Sequence, residues 1–323
     1  MEHMPPENFE QFKGKHEAWK KCLSGEDRNS VFNQIFRMVW NAAVFKIINE
    51  ARRIAPADAK GQIEINGMLH HFLDRCFFDS QFLAVRRLTD TAYTLEDSKR
   101  GIFSLTALLV DMKANISLMT RANFFAVEDL EYDPTDIQQR ELEYAFEQSK
   151  SGKGAYWSSF KGSSHDINSR HDQLDVLCGV SADQRMPTDT VRGEVFDYLL
   201  KRIKEASEDV NLHVNKYVAH AATPNSREYS KADDVSITIG HLWDAHKVIC
   251  QVANFVDVYM LSRAHHSFLP VPQYDHFEHI DKFLVSTEGV EALSKAWHQF
   301  QQETDSWGSW GMKELQEEIS QEK

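Results

Sequence analysis

The chain has no long apolar run. Its most hydrophobic stretch, "IFSLTALLV" from Ile102 to Val110, falls well short of the roughly 20 apolar residues that a bilayer-spanning helix needs, so no membrane span is expected. The first residues, "MEHMPPENFEQFKGKHEAWKK", are polar and charged and read as no secretory leader. Cysteine is scarce. Cys22, Cys76, Cys178 and Cys250 lie far apart, without a CxxC pair or Cys/His ligand spacing; they read as reduced thiols of a cytoplasmic protein. Positive charge is also short, at 36 Lys and Arg against 49 Asp and Glu, a net charge of −13. That balance argues against a broad, nonspecific nucleic-acid surface and leaves room for a local basic site.

Several catalytic frames are missing too. "SGKG" lacks the spacing of a phosphate-binding P-loop, and no GxSxG elbow is present. None of the 15 histidines has a Glu three residues earlier, which removes the di-iron bundle pattern. "HLWDAH" spaces His241 and His246 by five, off one helix face. "DHFEH" places His276 and His279 at i,i+3 with no third ligand nearby in sequence. Neither a metal nor a cofactor is expected.

What the sequence does carry is the helical period, while strand alternation is scarce. Val31 to Arg53 places Val31, Ile35, Val39 and Ala42 near one face. Met68 to Leu88 does the same with Leu69, Phe72, Cys76, Leu83 and Leu88. Ile102 to Val127 forms a third run, and Asp136 to Gln148, opened by "DPTD", a fourth. Residues 149–188 break the pattern. "SKSGKGAYWSSFKGSS" is rich in Gly and Ser, "MPTD" closes the stretch, and the whole reads as a long loop or insertion. Lys150, Lys153 and Lys161 with Tyr156, Trp157 and Phe160 make it basic and aromatic, a mixture that can grip single-stranded RNA; a solvated loop with a small aromatic tuck is the plainer reading. The expected fold is all-α: a multi-helix bundle over residues 31–265, an N-terminal extension over 1–30, and a C-terminal helical tail over 266–323.

The clearest run is the fifth, Thr190 to Ala222. Val191, Val195, Leu199, Ile203, Ala206, Val210, Val214, Tyr217 and Ala221 recur every three or four residues, a long amphipathic helix with one core stripe. Pro224 stops it. Arg202, His213 and His220 fall together on its flank, with Asp209 and Lys216 slightly further round. His220 lies in the last turn, where the helix dipole favours an imidazolium, so it can serve as acid or base near neutral pH. A sixth run extends from about Ile239 to Arg263.

Two segments together resemble a known family. "DSQFLAVRRLTDTAYTLEDSKRGIFSLTALLVDM", Asp79 to Met112, and "YLLKRIKEASEDVNLHVNKYVAHA", Tyr198 to Ala221, resemble the abortive-infection type-U branch of the HEPN superfamily. There a helix ending near "RLTD" precedes a "SL..L" helix, and a later helix ends in an "NK..AH" motif. The resemblance implies a helical bundle, often a homodimer, that acts on RNA in a toxin or phage-defence system with an antitoxin or another defence partner. It also implies metal-independent ribonuclease chemistry from an Arg followed, after four to six residues, by a His. On this chain the motif histidine is His220 and the polar residue beside the arginine is Asn215. The arginine's own position falls on Val214, Asn215 or His213. Lys216 is the nearest replacement cation, and Arg86, Arg87, Arg202 and His213 are the further RNA-binding candidates. The alternative is a bundle of the same family that has lost catalysis and binds or regulates as a dimer.

Overall fold

The computed structural model describes residues 8–63, 65–91, 94–95, 99–150, 162–219, 221–232, 236–263, 267–269, 271–280, 282 and 289–307. The chain divides into two compact units, Met1–Pro270 and Val271–Lys323. Among the described residues the regular structure is all helical, with two isolated bridges and no strand.

The larger unit is built around helix α8, Gly193–His213. Phe196, Leu199, Ile203, Ser207 and Val210 are its buried positions, spaced three and four apart, as one face of a 3.6-residue helix requires. It packs against α10, Ile239–Phe255, α3, Gly67–Leu88, and α4, Leu105–Ala114. Helix α2, Val31–Ile54, packs against α3 and α10. The run from Ile102 to Val127 is not one helix. It divides at Asn115 into α4, a 3-10 turn at Ile116–Leu118, and α5, Arg121–Glu128. Side-chain caps explain the restarts: Ser104 accepts from the Ala107 N–H and Thr120 from the Asn123 N–H.

Two stretches, one expected as an extension and one as a loop or insertion, contribute helices to the common core. In the N-terminal stretch, helix α1, Phe9–Ser24, buries Phe12, Trp19, Cys22 and Leu23 in the common core. Within 149–188, helix α6, Thr135–Lys150, ends the preceding run and α7, Ser164–Cys178, comes after it. Ser163 caps α7 at its start. Gly179 ends it in the left-handed region at φ +71°, where a Cβ would also meet the Arg192 side chain at 2.7 Å. Residues 151–161, with Lys153, Tyr156, Trp157, Phe160 and Lys161, lie outside the described residues.

The expected stripe of α8 also changes course at its end. Val214 is fully buried, whereas Tyr217 is 42% exposed. Val214–Val218 form a π-helical turn closed by the Ala219 N–H to the Val214 carbonyl at 2.8 Å. An i→i+5 bond holds one more residue than an α turn and rotates the later residues out of phase with the stripe. Helix α10 ends the same way, in a π turn at Val256–Met260.

After α8 comes the short α9, Pro224–Tyr229. The second unit holds α11, Val290–Trp307, on which Val290, Leu293, Trp297 and Phe300 are exposed at helical spacing. His276 and His279 fall in turns rather than on a helix, and His279 has a φ of +64°. Among the described residues no helix is long and apolar enough to cross a membrane.

Candidate functional site

The end of α3 meets the π turn at the end of α8. Here Leu88, Thr89 and Asp90 of "RLTD" each make a contact, together with Arg86 just before the motif, while the motif's own Arg87 turns to another cleft. Leu88 is buried in the core. The Thr89 hydroxyl donates to the Val85 carbonyl at 2.9 Å and accepts from Asn211 Nδ2 at 2.9 Å, which joins α3 to α8. The Asp90 carbonyl accepts from Ser104 Oγ at 2.9 Å, which fixes the start of α4. The Asp90 carboxylate pairs with Arg86 Nη1 at 3.2 Å. From the same guanidinium, Nε reaches Asn215 Oδ1 at 3.4 Å. The segments Asp79 to Met112 and Tyr198 to Ala221 are therefore neighbours in space, and Arg86 lies beside Asn215.

The π turn exposes a layered edge. His213 lies between Phe82 and Tyr217, with ring centroids 4.8 and 4.9 Å apart. Burial pushes the His213 imidazole below its ordinary pKa, against an opposing pull from Asp79, so it is neutral at pH 7. The Arg227 guanidinium lies 5.6 Å from the Tyr217 ring centre, and its Nη1 donates to the Ala222 carbonyl at 2.7 Å. The exposed tyrosine is thus partnered by an imidazole and a guanidinium, an aromatic and cationic layer at the end of α8. A uniform 100° step places Tyr217 in the core stripe and gives Arg227 no role, because it carries no sign of the π turn.

The other candidates are placed as follows. Lys216 is half-buried, and its ammonium donates to Ser226 Oγ at 2.9 Å and to the Ser226 carbonyl at 3.2 Å, tying the π turn to α9. Arg202 donates to Gln251 Oε1 at 2.6 Å; thirteen residues before Asn215 on the same helical path, it stands about 20 Å away. The structure does not bring it to the junction. Arg87 is exposed and turns to an open cleft of about 710 Å³, lined also by Arg28, Arg37 and Asp90. Arg28 and Arg37 carry no sequence signal, since one lies in a turn and the other on the polar face of α2. His220 lies outside the described residues. Among the described residues no group of three or more His, Cys, Asp or Glu side chains could hold a metal ion.

No protein-family model, curated protein or solved structure matches the chain.

Proposed function

We propose that this chain is a HEPN-like, RNA-directed protein of a toxin or defence system, and that it cleaves RNA without a metal. The observation that carries the reading is the Arg86–Asn215 contact, 3.4 Å long, between the segments holding "RLTD" and "NKYVAH". Val214, at the motif's arginine position, is fully buried and unfit to face a phosphate. Arg86 supplies from the neighbouring helix the guanidinium that the motif lacks on its own.

The chemistry rests on the residue types. RNA carries its own nucleophile. The 2′-oxygen attacks phosphorus as the bond to the 5′-oxygen breaks, leaving a 2′,3′-cyclic phosphate on one product and a 5′-hydroxyl on the other. His220 moves the proton at one of those oxygens. Arg86 stabilises the negative charge gathering on the phosphoryl oxygens, for which a forked, permanently charged donor is suited. Asn215 holds Arg86 and orients the phosphate. Lys216, engaged by Ser226, acts through the position of the π turn.

A second reading is a bundle of the same family that binds RNA without cleaving it, working as a homodimer or with an antitoxin. Two observations favour it: Arg86 is already paired with Asp90, and burial holds His213 neutral. The deciding experiment is incubation of mixed RNA with the purified chain in EDTA, beside His220→Ala, with identification of product ends. The nuclease reading expects 2′,3′-cyclic ends that disappear in the variant. RNA bound but intact at every pH decides for the second reading.

A further inference from the structure

Two helix starts face one cleft. Asp27, Arg28 and Asn29 precede α2, which begins after Ser30; Gly101, Ile102 and Phe103 precede α4, which begins after Ser104. Gln34 clamps the two segments, its Nε2 donating to the Asn29 carbonyl at 2.6 Å and to the Phe103 carbonyl at 2.8 Å. Neither helix has an acidic residue in its first turn, so neither dipole is offset from within its own helix; Asp27 and Asp90 are the acids beside the two starts.

Arg28, Arg37 and Arg87 line this cleft. Arg37 is held by backbone, donating through Nη2 to the Arg28 carbonyl at 2.9 Å and through Nε to the Asn33 carbonyl at 3.2 Å. Among the described residues no carboxylate pairs with the exposed side chains of Arg28 or Arg87. The cleft's two acids are both committed. Asp27 accepts from the Asn29 N–H at 2.7 Å, and Asp90 pairs with Arg86. Three guanidiniums face two carboxylates, one of which is already paired with Arg86, in a chain whose overall charge is −13. A local excess of positive charge, walled by protein and flanked by two helix starts, concentrates anions. At about 710 Å³ the cleft has the size of a small-ligand site.

We propose that this cleft is a phosphate-binding site, with Arg28 and Arg87 as its charged contacts and Arg37 as a fixed wall between them. Its ligand is a phosphate chain, supplied either by an RNA backbone or by a free nucleotide polyphosphate. The site needs neither His220 nor cleavage, so it stands apart from the nuclease reading.

The test compares the full chain with the double variant Arg28→Ala/Arg87→Ala, chosen because neither side chain pairs with a carboxylate among the described residues. Binding of three probes is measured: inorganic pyrophosphate, ATP and a short single-stranded RNA, the last over a range of salt. If RNA is the source, its affinity falls about tenfold in the variant, and the log–log salt slope shrinks by roughly 0.7 for each arginine removed. If a free polyphosphate is the source, ATP and pyrophosphate binding is lost and RNA binding is unchanged. Equal binding of all three probes by both proteins overturns the site, as does binding of none. His220→Ala keeps cleft binding whether or not the chain is a nuclease. RNA cleavage that persists in the double variant, with binding of all three probes unchanged, sinks the cleft alone.

Discussion

Arginine does opposite work in two places. Between α5 and α7, Arg121 is fully buried and its donors are met on every side. Nε reaches Asp189 at 3.2 Å, Nη2 reaches Asp175 at 2.8 Å, and Nη1 reaches the His171 carbonyl and Nδ1, each at 3.2 Å. His171 Nε2 faces the Tyr132 carbonyl at 2.9 Å, so one neutral tautomer serves both contacts, donating at Nε2 and accepting at Nδ1. Arg185 covers the other side of Asp175 at 2.7 Å. Burial raises the Asp175 carboxyl, and hydrogen bonds from Arg185 and Arg121 outweigh it and hold the group below its ordinary range. At the cleft, by contrast, Arg28 and Arg87 pair with no carboxylate among the described residues. A guanidinium whose donors are saturated inside holds the fold. One left to water beside two helix starts is set for an anion.

That contrast breaks most visibly in the interior. Arg121→Met should lower stability by about 3–5 kcal/mol, because it takes the cation from the largely buried Asp189 carboxylate and one of the two arginines that hold Asp175. Arg28→Ala and Arg87→Ala should each stay within about 0.5 kcal/mol of the parent. Urea midpoints at constant m-value measure all three. A buried variant no worse than the cleft variants would erase the distinction.

Acid should act on the interior through two other buried groups. His16 and His246 are buried, and His16 Nδ1 and Nε2 and His246 Nε2 have no hydrogen-bond partner. Burial, with Lys20 and Arg170 nearby, lowers His16 from 6.5 to about 3; burial alone lowers His246 to about 4. Below pH 6.5 the unfolded chain binds protons that the folded chain refuses. Stability is therefore full above the unfolded value and falls as pH drops toward the folded values. By pH 4 each histidine should account for a loss on the order of 3 kcal/mol. His246→Leu should flatten its share of that slope in a urea series from pH 7 to pH 4. A slope unchanged by the substitution would mean that the imidazole is protonated in the fold.

The same chemistry explains how much was legible in the sequence. Helix α8 could be read because its inward positions are nearly all aliphatic or aromatic. Helix α7 could not. Its inward positions are Ile167, Arg170, His171, Leu174, Leu177 and Cys178, so two of six carry charge or an imidazole and the stretch looks like loop. His16 masks α1 in the same way. The candidate segments were legible as "RLTD" and "NKYVAH"; Thr89 of the first bonds to Asn211 of α8, Arg86 beside it reaches Asn215 of the second, and His220 lies outside the described residues. The π turn was not, since its bond pattern is backbone geometry with no residue signature. The cleft was not, because three separate segments of the chain build it.

At the junction the expected effects are smaller and appear in binding. Arg86→Ala should weaken RNA binding by about 1.5–3 kcal/mol, the range for a hydrogen bond to a charged group, and lower the salt slope by roughly 0.7. Stability should move by less than about 1 kcal/mol, because the Arg86–Asp90 pair is partly exposed. Fluorescence anisotropy against salt, beside a thermal melt, gives both quantities. A large stability loss with unchanged RNA affinity would move Arg86 into the structural class with Arg121.

The smallest effect is expected at Arg202, and it sets the edge of the comparison. Its guanidinium donates to Gln251 on α10, an exposed contact between two helices that already share a large apolar interface. Removing it leaves no buried charge behind, so Arg202→Ala should change stability by no more than about 0.5 kcal/mol. About 20 Å from Asn215 along the helical path, it should leave RNA affinity within about twofold. If affinity instead falls as far as in Arg86→Ala, the RNA path runs along the α8–α10 edge rather than across the π turn. The line between fold-holding and ligand-holding arginines would then follow solvent exposure alone, and carboxylate pairing would lose its value as the criterion.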